Sequence, residues 1–216
     1  MALCALEVRA WPENRGGGRR GGGQVLRAAL ASLDSVVARV GLLQCLFEGS
    51  MHVFVFLWTP CLQRGGLQVP HGLIFSLYMV CMMVGGRVCA SRFRPPLGLV
   101  FGIAALCLFT PNVTDRLWCN LAAFCCFEWC VGCYFPQIAM LRSQHLDDKT
   151  RGVTITLFRV PFNCIVVGVL IYGRALPPQA LLLFASGALA IGSMAYWSLP
   201  SQSTAASVGK DGAKAE

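Results

Sequence analysis

Six long apolar blocks constrain the fold of this sequence more than any other feature. They fall at about 41–62, 70–90, 96–112, 117–140, 153–173 and 178–199. Each is close to the roughly 20 residues that carry a helix across the hydrocarbon of a bilayer. No water is available there, so a spanning helix must satisfy its own backbone N–H and C=O groups. The expected fold class is therefore an all-α membrane protein with six transmembrane helices. The third block is the shortest. Pro60, Gly85, Gly86, Pro136 and Pro161 lie inside the blocks, where neighbouring helices re-satisfy the backbone groups such residues free.

Composition agrees. Hydrophobic residues make up 56% of the chain, charged residues 13%, and the mean hydropathy is +0.60. Soluble domains carry about 25% charged residues, so the lipid bilayer is the expected solvent. The net charge of +8 raises the question of nucleic acid, but the positive residues sit between the apolar blocks, where membrane topology explains them. No nucleic-acid partner is expected. Residues 1–24, with RGGGRRGGG at their heart, are a Gly/Arg tract unable to bury a core, read as a disordered basic tail. Residues 25–40 carry Arg27, Asp34 and Arg39 off an apolar face and read as an amphipathic cytoplasmic lead-in helix. Residues 201–216 form a polar tail. The apolar part of MALCALEVRAWPENR is too short and wrongly flanked for a signal peptide.

Orientation follows from the loops. Arg15, Arg19, Arg20, Arg27 and Arg39 precede the first block, Arg87, Arg92 and Arg94 follow the second, and Arg142, Lys149 and Arg151 follow the fourth. Lys210 and Lys214 lie in the last tail, whereas the alternate loops hold only Arg64, Arg116 and Arg174. Six spans with both termini cytoplasmic reproduce this alternation. They also place the sequon Asn112-Val113-Thr114 outside the cytoplasm.

Ionisable side chains within the blocks are costly by several kcal/mol unless paired or wet, and by default they mark function. Glu48 and His52 lie one turn apart in the first block. Glu128 sits midway along the fourth. Arg159 sits in the fifth, with Thr156 and Asn163 on its helical face. Each has a plainer reading. Glu48 is near enough to the end of its span to snorkel or cap, and His52 suits a helix-packing donor. An Arg159–Glu128 or Arg159–Glu48 pair would lock helices together. The two kinds of role are compatible, because a pair lining a cavity can exchange partners with a ligand.

The stretch FEWCVGCYFPQ, residues 127–137, contains a WC-x-x-C pattern that resembles the active site of thiol–disulfide enzymes. Such a site needs its first thiol near a helix N-terminus with access to partners. Cys130 and Cys133 fall instead past the middle of a span. Zinc needs four ligands, and no second pair has suitable spacing. The 12 cysteines lie mostly in or beside apolar blocks and read as small packing residues, which leaves Glu128 as the signal in this stretch. No Walker motif, HExxH or GxSxG elbow occurs, so neither an enzyme nor a cofactor is expected.

Three stretches resemble one family as a set. LFEGSMHVFVFLWTP (46–60), CVGCYFPQIAMLR (130–142) and TLFRVPFN (156–163) are similar to the second half of the molybdate-anion transporters, a branch of the major facilitator superfamily. The resemblance runs in order from about residue 26 to 200. It implies helices seven to twelve of a twelve-helix transporter and uptake of molybdate, a tetrahedral dianion; the expected location is the plasma membrane. Arg159, Asn163, Glu128, Glu48 and His52 are then the candidate substrate-binding residues. Arg159 would donate charge-assisted hydrogen bonds to the anion, Asn163 would help, and Glu128 or Glu48 would hold Arg159 or carry a proton. The family's first half has no counterpart here, so the expected partner is a missing N-terminal half or a second copy. A non-transporting membrane scaffold is the alternative.

Overall fold

A computed structural model describes residues 35–64, 69–91, 94–145, 154–158, 160, 164, 167–168, 171 and 176–198. The expected tails at 1–24 and 201–216, and most of the lead-in helix, lie outside the described residues. Among the described residues all regular structure is helical. The long helices are α1 (Ser35–Leu62), α2 (His71–Ala90), α3 (Leu97–Val113), α4 (Leu117–His145) and α5 (Pro178–Trp197). The described positions within 154–171 are helical too.

Prolines set three of the helix starts. Pro70, Pro96 and Pro177 precede α2, α3 and α5 with φ of −73°, −61° and −64°. The ring presets a helix-compatible φ where no N–H is needed. The carbonyls of these prolines accept the first backbone bonds, as from Leu73 and Ile74 to Pro70 at 3.1 Å. α1 begins by Ser35, so residues 35–40 join the first span directly and the boundary expected at 40 is absent. α4 likewise continues to His145, five residues past the expected end of its block.

Four of the five helices are long and apolar enough to cross a membrane, while α3 has 17 residues. At 1.5 Å per residue α3 spans about 26 Å, slightly less than the ~30 Å hydrocarbon. α2 packs most extensively on α4, and α3 on α5, with α1 against α5 and α4. Phe47 of α1 stands at the centre. Its ring stacks on Tyr134 of α4 at 3.9 Å and meets Phe101 of α3 edge-on at 5.0 Å. α2 buries only Ile74, Tyr78, Gly85 and Cys89 and turns Leu73, Phe75, Leu77, Val80, Met83 and Val84 outward. An apolar outward face is what lipid as a solvent permits.

Two contacts relate the ends of the helices. Arg39 donates to the Ser198 carbonyl at 2.8 Å, which sets the start of α1 beside the end of α5. After α1, Arg64 pairs with Asp115, between α3 and α4, at 3.4 Å.

Candidate functional site

α1 carries Gln44, Glu48 and His52 at intervals of four residues, so their side chains form one stripe along the helix. Gln44 is buried, and its Oε1 has no hydrogen-bond partner among the described residues. Glu48 is half-buried, and the Tyr134 hydroxyl of α4 donates to its Oε1 at 3.4 Å. The Nδ1 of His52 lies 2.8 Å from the Glu48 carbonyl oxygen, one turn back. The stacked rings of Phe47 and Tyr134 hold α4 at this height and so deliver the phenol to Glu48.

Glu128 is in different company. It is only 6% exposed on α4 and has no hydrogen bond to any described residue. Glu128 and Tyr134 are six residues apart, which is about 240° around a helix and about 9 Å along it. The two carboxylates therefore occupy separate faces and levels. Tyr78 of α2 has a buried hydroxyl that also lacks a partner among the described residues.

Arg159 and Asn163 lie outside the described residues. Their neighbour Phe158 is described, and its ring sits against Gly41 of α1, where any side chain would collide with it. The Cys45 thiol donates to the Phe158 carbonyl at 2.9 Å. The helical turn at 154–158 is thereby attached to α1 one turn before Glu48. A dianion does not bind to carboxylates directly, so Glu48 and Glu128 serve such a ligand only through a cation or a proton.

The WCVGC stretch has a structural occupation. Gly132 packs directly on the backbone of α2 at Met82 and Gly86, and Gly85 packs on Trp129 of α4, so an added Cβ at either glycine would overlap main-chain atoms. Cys133 donates to the Gly85 carbonyl at 3.2 Å, and Cys130 is fully buried. Among the described residues no group of three or more His, Cys, Asp or Glu could hold a metal ion. Sequence reasoning did not single out Gln44, Tyr78 or Tyr134. Gln44 was visible in principle, four residues before Glu48. The two tyrosines read as ordinary aromatic residues of apolar blocks.

The chain resembles known membrane proteins. The profile of a family described as "Sugar-transporters, 12 TM" matches residues 1–126. The molybdate-anion transporter of Xenopus tropicalis is 32% identical over 175 residues, covering 74% of this chain and 38% of that protein. That of Xenopus laevis is 32% identical over 174 residues, with 73% and 38% covered. The Takifugu rubripes protein is 32% identical over 143 residues, 60% of this chain and 29% of its own length. The chain thus spans less than two-fifths of the length of these relatives. No solved structure matches it.

Proposed function

This chain belongs to the twelve-span transporter family of the major facilitator superfamily and is an all-α, multi-pass membrane protein; from that premise we propose that it forms half of a transporter for the molybdate oxyanion. The observation that carries the reading is the alignment with proteins named molybdate-anion transporters over 60–74% of the chain. Transporters built from two repeated halves bind substrate near the bilayer midplane between them and alternate access by rocking one against the other. A second half, in the same polypeptide, a separate one or another copy of this chain, completes the site.

Within this half, Arg159 is the anion's charged donor and Asn163 its neutral helper. Glu48, with Tyr134 at its Oε1, holds the arginine when the site is empty or carries a coupled proton, and His52 sits one turn away. Glu128 serves the same charge balance from the α2 side of α4. Both termini are cytoplasmic, as the arginine distribution supports, and the membrane is the plasma membrane.

The test is uptake of labelled molybdate by cells expressing a full-length transporter that contains this half. Arg159→Gln lowers uptake at least tenfold with surface expression unchanged. Unchanged uptake by that variant removes Arg159 from the site, and the absence of molybdate uptake by the parent removes the substrate assignment.

A further inference from the structure

Beyond the backbone contacts of Gly85 with Trp129 and of Gly132 with Met82 and Gly86, the seam between α2 and α4 is lined by Cys89 and Ala90 on one helix and Pro136, Ala139 and Met140 on the other. They line an open cavity of about 640 Å³ together with Ser91, Arg94 and Ser143. A second, apolar groove of about 380 Å³ runs along the outward face of α2 past Val80, Met83, Val84 and Val88, with Arg87 beside it. Ser91 lines both, so the groove and the cavity meet the chain at the same residue.

The charges at this junction are not neutralised by any described residue. The Arg94 guanidinium meets the Met140 sulfur at 2.8 Å. A thioether is a weak acceptor with no charge. The ion pair found among the described residues is that of Arg64 with Asp115, at the other end of the helices. From Val80 to Ser91 the groove follows eleven residues, about 16 Å of helix, which matches one leaflet's share of the ~30 Å hydrocarbon.

We propose that the end of the α2–α4 seam binds one anionic phospholipid, with its phosphate between Arg87 and Arg94 and an acyl chain along Val80, Met83 and Val84. The groove and the arginines together select this occupant. A free oxyanion would use the arginines and leave the groove empty. A zwitterionic lipid would fill the groove but bring its own cation to the arginines. An anionic lipid satisfies both parts, as basic pockets between spanning helices do elsewhere. On the proposed orientation the site faces the cytoplasmic leaflet, where anionic lipid is concentrated.

Native mass spectrometry of the delipidated whole chain in detergent tests this, with phosphatidylglycerol and phosphatidylcholine of identical acyl chains as probes. One phosphatidylglycerol is expected to be retained about thirtyfold more strongly than phosphatidylcholine, from two arginines each contributing their usual share near an anionic headgroup. Arg87→Gln with Arg94→Gln abolishes the preference, Arg87→Lys with Arg94→Lys keeps most of it, and Val84→Asn weakens both lipids. Equal retention of the two lipids by the parent chain overturns the proposal. So does full retention of phosphatidylglycerol by a glutamine variant of unchanged helix content, or displacement of the lipid by inorganic phosphate at millimolar concentration. If the glutamine variant does not fold, the comparison of the two lipids on the parent chain decides alone.

Discussion

At the scale of single residues, Glu48 and Glu128 look alike in sequence, each a lone carboxylate in an apolar block. Glu48 receives the Tyr134 hydroxyl at 3.4 Å, whereas Glu128 is buried with no hydrogen bond to a described residue. The difference predicts opposite responses. A buried carboxylate is destabilising where no partner offsets its desolvation, and among the described residues Glu128 has none, so Glu128→Gln is expected to raise the unfolding free energy in detergent by about 1–3 kcal/mol. If Glu128 takes part in transport, the same change lowers uptake by a full-length protein. Thermal melts and uptake assays on one variant read both effects. Tyr134→Phe combined with Glu48→Gln in a double-mutant cycle yields a coupling of about 0.5–1 kcal/mol, below the ~1.5–3 kcal/mol of a bond to a charged group because the contact is long. Neither environment was legible from sequence. The carboxylates announced themselves, but the phenol that meets Glu48 lies 86 residues away, and spacing within one helix cannot identify a partner on another.

At the scale of elements, the seam of α2 and α4 depends on the absence of side chains. Gly85 and Gly132 bring the two backbones into contact, and close approach lets packing forces hold spanning helices together where the hydrophobic effect does not. Gly132→Leu is therefore expected to separate the pair and destabilise the chain by more than about 3 kcal/mol, seen as loss of the monodisperse species in size-exclusion chromatography. Cys133→Ala, which removes one thiol contact, costs about 1 kcal/mol or less. A redox role for WCVGC predicts the reverse ranking in thiol-exchange assays. The existence of the helices was legible from block length, and proline marked three of their starts. The role of the glycines was not, since GG in a spanning block reads equally as a flexible point or a contact.

At the scale of the whole molecule, the exposed Arg64–Asp115 pair joins the loop after α1 to the loop between α3 and α4. Asp115 is largely solvent-exposed, so Asp115→Asn changes stability by less than about 1 kcal/mol, and by less still at high salt, as thermal melts at two salt concentrations will read. If the proposed half-transporter reading holds, the chain reconstituted alone in proteoliposomes is expected to take up no molybdate, while a protein that joins it to a second half does, because one half supplies no partner to rock against. Uptake by the isolated chain that depends on protein concentration would identify a second copy as the missing half. Block length, hydropathy and the placement of arginines were enough to determine an all-helical membrane protein, because a bilayer leaves a backbone so few ways to cross it. Tertiary structure alone decided which carboxylate meets a hydroxyl, which glycines carry a helix crossing and that Arg94 meets Met140 of α4. Each depends on residues far apart in sequence meeting across helices, and the period of a single helix holds no record of its neighbour.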